Sequence, residues 1–135
     1  MKEAVSLSLS RDDIAFLCNA ISEAWEAAEA NEREFKTRTG ETYERAGEIR
    51  THLKEILSTP KQWPSTIGVD DNEAKKLQLS VALHDLSFLY RTIKITLSEI
   101  EDWEFHTRTG KTPHEASMLL EYLHEVLNDV GRDVL

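Results

Sequence analysis

The stretch Glu121-Tyr-Leu-His124, followed by Glu125, holds the most chemical promise in this chain. A glutamate and a histidine three positions apart share one helical face, as in bundles that hold two metal ions. Such a centre needs the motif on a second helix and carboxylates from two more. The stretch most similar to it elsewhere carries Thr51 and Lys54 at those two positions, and a lysine repels a cation. The other histidines, His52, His84, His106 and His114, show no tight ligand spacing. His84 beside Asp85 suggests a general base and its orienter, but neighbours on a helix diverge. Asp85 moreover falls where a helix start wants a cap. The chain has no glycine-rich phosphate loop and no nucleophile elbow. Its single cysteine, Cys18, lies among Phe16, Leu17 and Ile21 and reads as a small core residue. We expect no catalytic residue, no metal and no cofactor.

Charge narrows the remaining classes. A net charge of −9 over 135 residues argues against direct nucleic-acid binding, which needs cations for phosphate. It argues equally against an anionic membrane surface. The acidity is a property of the folded body: residues 1–60 carry 12 acidic and 8 basic side chains, residues 61–135 carry 13 and 8. No apolar run approaches the roughly 20 residues of a membrane span, and the N-terminus lacks a signal-peptide pattern. A cytoplasmic location is expected.

One phrase occurs almost twice. "EFKTRTGET" at 34–42 returns as "EFHTRTGKT" at 104–112. At an offset of 70 residues, 11 of the 24 positions from Glu34 to Leu57 are identical to Glu104 through Leu127. Upstream, "DIAFLCNAI" (13–21) aligns with "DLSFLYRTI" (85–93) at an offset of 72. This predicts a tandem duplication: repeats at about 5–58 and 76–131, joined by a connector at 59–75, in one domain spanning 1–135. The connector is rich in turn formers, and Trp63 and Ile67 are expected to pack it onto the body.

Each repeat predicts a strand, then a helix, then another helix. "VSLSLS" and "KLQLSV" alternate with the period of a strand. Next, Ile14, Leu17, Cys18, Ile21, Trp25 and Ala28 form one helical stripe, as do Leu86, Leu89, Tyr90, Ile93, Leu97 and Ile100. The final helices bury Ala46, Ile49, Leu53 and Ile56 in one repeat. In the other they bury Ala116, Leu119, Leu120, Leu123, Val126, Leu127 and Val130. The repeated phrase is the corner between helices. Gly40 and Gly110 suit a left-handed helix end, Arg38 and Arg108 complement the helix dipole before it, and Thr42 and Thr112 cap the next helix. Thr112, Pro113 and Glu115 make a full capping box. The fold class expected is mainly α, with α+β left open by the two short strands, and a pseudo-twofold relates the repeats.

A helix–corner–helix also suggests a DNA reader. The helix after Gly110 contradicts this, offering Glu115, Glu121 and Glu125 but no arginine until Arg132. The acidic surface remains. Glu23, Glu26 and Glu29 track along the first long helix, and Glu101, Asp102 and Glu104 stand at the corresponding end of the second repeat. Like charges at this spacing cost a few tenths of a kcal/mol per pair, so they suit a basic partner held by complementarity. Trp25 and Trp103, beside them, are candidate aromatic anchors, with core packing as the alternative.

At "FLCNAI … EFKTRTGET" and "FLYRTI … EFHTRTGKT" the chain resembles a loose group of small, mostly uncharacterised bacterial proteins with a Glu-Phe-x-Thr-Arg-x-Gly corner. Some of these resemble immunity proteins encoded beside secreted toxins. The resemblance implies a non-enzymatic protein-binding module, an immunity-like inhibitor whose acidic face covers a basic protein. Two other readings stay open: a small-ligand sensor or enzyme using the cleft between repeats, and an acidic nucleic-acid mimic. Whether the chain is a monomer or a dimer stays open as well.

Overall fold

The structure is a computed structural model that describes residues 4–29, 31–58 and 76–134. The connector, with Trp63 and Ile67, lies outside the described residues. The order strand, long helix, short helix, long helix occurs twice: β1 (Ala4–Leu9), α1 (Arg11–Ala27), α2 (Glu32–Thr39), α3 (Tyr43–Ser58), then β2 (Leu77–Ala82), α4 (Leu83–Glu99), α5 (Asp102–Thr109), α6 (Pro113–Val134). The fold is mainly helical, with one two-stranded sheet.

The alternating runs do form strands. β1 and β2 pair antiparallel, with Val5 opposite Val81, Leu7 opposite Leu79 and Leu9 opposite Leu77. Alternation puts these apolar side chains on one face, where Leu7 and Leu9 are fully buried. Ser8 stands opposite Gln78, one pair in from the Leu9–Leu77 end of the ladder.

Under this ribbon α1 packs on α4, with α3 against α1 and α6 against α4. Covered on two sides, α1 and α4 bury more than the one stripe read from spacing. Phe16, Ala20 and Ala24 on α1, and Phe88, Thr92 and Thr96 on α4, form a second buried row. Those small residues allow the helices to approach, and Thr96 donates a hydrogen bond to the Ala20 carbonyl at 3.4 Å. The stripe read for α3 is buried throughout. On α6, Ala116, Leu119 and Leu123 are buried and Leu120, Val126 and Leu127 half-buried; the Val130 side chain lies outside the description.

The expected strand–helix–helix unit needs one correction, because each long first helix is interrupted before the corner. In the first half α1 ends at Ala27, Glu29 takes a left-handed φ of 50°, and Asn31 caps α2 by accepting from the Glu34 N–H. In the second, Ile100 is extended (φ −102°, ψ 132°) yet buried. Its apolar spacing imitates a continuing helix while it actually pins a bend. A second correction concerns helix starts. Ser10 and Asp13 form the capping box at α1. At α4 Ala82 is the N-cap and offers no side-chain bond, and Asp85 instead accepts from Arg45 at 2.7 Å.

Candidate functional site

The repeated phrase is a closed set of hydrogen bonds, made the same way twice. Gly40 and Gly110 adopt φ of 86° and 90°, returning their N–H groups to the Lys36 and His106 carbonyls. Only glycine enters that region without strain. Thr42 accepts from the Arg45 N–H and Thr112 from the Glu115 N–H, both at 3.1 Å. Sequence reasoning missed the other threonine. Thr39 and Thr109 are buried, donate to the Phe35 and Phe105 carbonyls at 2.8 Å, and accept from the N–H of Glu41 and Lys111 at 3.2 Å. Their identity in both phrases was the available signal.

Each corner docks on the opposite half. Phe105 packs against Phe16 and Phe35 against Phe88, with ring centroids 6.3 Å apart in both pairs. Asn19 of α1 donates to the Thr109 carbonyl at 3.0 Å. Lys111 pairs with Asp13 at 2.8 Å, while buried Glu41 pairs with His84. His84 and Asp85 therefore serve two different contacts and form no base–orienter couple.

The corner arginines do more than face a helix dipole. Arg38 reaches Glu99 at 2.8 Å. Arg108 donates to Glu23, sits 3.3 Å from Glu26, and lies 3.8 Å from Glu104 on its own helix. Three of the six acidic candidates thus converge on one guanidinium. Glu23 is the deepest, its side chain 13% exposed against 72% for Glu26. Burial pushes its carboxyl above the usual carboxylate value, the Arg108 charge pulls it back in part, and Glu26 and Glu104 push it up again. Glu29, Glu101 and Asp102 are exposed.

The two tryptophans part company. Trp25 is half-buried, edge-on to Tyr43 at 5.8 Å and beside Phe35 at 6.2 Å, so the packing alternative describes it. Its indole N–H and the Tyr43 hydroxyl are buried with no hydrogen-bond partner among the described residues. Trp103 stands 79% exposed on α5, next to Asp102 and Glu104.

A groove of about 670 Å³ runs along the seam between the halves, where β1 and the start of α1 meet α6. Ser8, Asp13, Lys111, Met118 and Tyr122 line it. The Tyr122 hydroxyl accepts from the Ser8 N–H at 2.8 Å, tying α6 to the ribbon.

Of the motif read for metal, His124 stacks on Tyr90 at 5.7 Å. Among the described residues, no three His, Cys, Asp or Glu side chains gather as a metal site. Burial raises the Cys18 thiol above its ordinary value, against the pull of Arg50 and Lys54. No described helix is long and apolar enough to cross a membrane. No protein-family model, curated protein or solved structure matches this chain.

Proposed function

We propose that this chain is a non-enzymatic protein-binding module, an immunity-like inhibitor whose acidic face covers a basic protein in the cytoplasm. The single observation that carries this is Trp103. All four phenylalanines are buried to within 1% of full burial, yet this chain sets its largest side-chain type in water on α5, among carboxylates. Packing gives no reason for that, whereas an exposed aromatic rimmed by charge is the usual composition of an interface anchor. Glu101 and Asp102 supply exposed charge beside it and Glu26 adds exposed charge on α1, on a chain of net charge −9. The neutral part of the reading is architectural: two fused copies related by an approximate twofold. Support comes from the pairing of Ser8 with Gln78, its equivalent 70 residues on, and from the matching ring pairs across the halves.

The test is affinity capture on the tagged protein from lysate of its source, eluted with rising salt. A stoichiometric basic protein should leave at moderate salt and should be lost when Glu26, Glu101 and Asp102 are changed to lysine. Capture that ignores both salt and charge reversal would sink the acidic-face reading. If the captured protein is itself a nucleic-acid binder, its groove identifies the acidic mimic. The seam groove favours a second reading, a small ligand held between Lys111, Asp13 and Met118. Native mass spectrometry of the purified protein decides it through an added mass.

A further inference from the structure

The described helix ends close in different ways. At α1 the N–H groups of Ala28 and Glu29 return to the Ala24 and Glu26 carbonyls. α2 and α5 close on left-handed glycines. At α4 only Ile100 returns, to Thr96, and the chain then runs out extended. Among the described residues, nothing donates to the carbonyls of Leu97, Ser98 and Glu99, and no basic residue occupies the last turn. Unsatisfied carbonyls at a helix C-terminus act as roughly half a negative charge.

A notch of about 470 Å³ surrounds this end, lined by Ser98, Glu99, Glu101, Asp102 and Trp103 among others. Arg38 occupies Glu99. Glu101 and Asp102 have no cationic partner among the described residues. Bare carbonyls, two unpaired carboxylates and an exposed indole all favour one chemistry: a cation that presents an apolar stem. At the matching position of the first half stands Arg33, so α2 carries no aromatic there.

We infer that the notch receives a lysine or arginine side chain of the partner, its charge toward Glu101, Asp102 and the α4 carbonyls and its stem on Trp103. The inference rests on the protein-binding reading and names the group that reading requires.

An acetylated, amidated penta-lysine peptide, titrated into isotope-labelled protein by NMR, tests it without a natural partner. Saturable shifts should concentrate at the Trp103 indole N–H and the amides of 97–103. Trp103→Ala should weaken binding about two- to fivefold, the range of an exposed cation–π contact. Glu101→Gln with Asp102→Asn should weaken it further, and a penta-glutamine peptide should leave the spectrum unmoved. Shifts spread evenly over the Glu23 and Glu26 surface, or an affinity unchanged in Trp103→Ala, would overturn it. Trp103 is exposed, so its loss leaves the fold intact, and Trp103→Leu separates the indole's π face from mere apolar area. A positive titration with an empty capture removes the proposed function and keeps the notch. A captured basic partner that binds Trp103→Ala equally well does the reverse.

Discussion

Replacing Arg108 by methionine keeps most of the side chain's stem and removes its charge and donors. Three carboxylates then lose their common counter-ion. The contacts to Glu26 and Glu104 are of the surface kind, worth about 0.2–1 kcal/mol each at most. Glu23 is different, because its side chain is nearly covered. Breaking a fully buried pair costs about 3–5 kcal/mol, and Arg108 is itself partly exposed, so the whole loss should fall at about 1.5–3 kcal/mol. Urea unfolding followed by circular dichroism measures it at neutral pH. Glu23→Gln in the Arg108→Met background should restore a large part, because a neutral amide needs no counter-ion. The pH dependence has a definite sign. The folded-state carboxyl of Glu23 is raised above its unfolded value, so the folded state binds the proton more tightly and protonation favours folding. Removing Arg108 withdraws a lowering influence, so the deficit of Arg108→Met should shrink as pH falls through that raised value. Arg38→Met, which frees only the half-exposed Glu99, should cost no more than about 1 kcal/mol. The reasoning is refuted if Arg108→Met is as mild as Arg38→Met, or if Glu23→Gln brings no rescue.

Gly40→Ala and Gly110→Ala should each cost about 1 kcal/mol, from left-handed strain less the entropy removed from the unfolded chain. The two should be alike: an added Cβ meets only the movable tip of Arg91, at 2.9 Å, in the first, and nothing within 4 Å in the second. A neutral pair in thermal unfolding would refute the corner. The Thr112 N–H and hydroxyl hold the Glu115 carboxyl below its ordinary 4.5. Its stabilisation is therefore present above that value and lost as pH falls through the lower folded one. The gap in urea midpoint between wild type and Glu115→Gln should close over that descent; a gap constant with pH contradicts the cap. Buried Cys18 should react with a thiol reagent only as fast as the protein unfolds.

Local physics made much of this legible. Alternation in "VSLSLS" reports a strand because one face of the ribbon is covered, and the glycines announce their corners because no other residue is unstrained there. The break before each corner was hidden for the same reason. Ile100 sits at helical spacing from Leu97, and burial rather than helicity explains it. Trp25 falls on the α1 stripe, so its burial followed from periodicity more directly than any anchor role did. What no spacing rule contains is the crossing of the halves. Arg108 lies 85 residues from Glu23 and Asn19 lies 90 from Thr109, and such pairs exist only once α1 and α5 are packed.

The proposed duplication separates packing from function. Between α2 and α5, the residues turned inward or into the crossing are identical: Phe35 and Phe105, Arg38 and Arg108, Thr39 and Thr109, Gly40 and Gly110. Each is fixed by a buried ring contact, a cross-half ion pair, a closed hydrogen-bond set or a left-handed backbone. Outward positions diverge at Arg33 against Trp103 and Lys36 against His106, while Thr37 and Thr107, and the exposed Glu34 with Glu104, stay identical. An exposed indole at a position free of packing demands is what the proposed anchor role would use. The phrase written twice therefore speaks for the architecture. The one tryptophan exposed in the described structure, where its counterpart is an arginine, is where the search for a partner should begin.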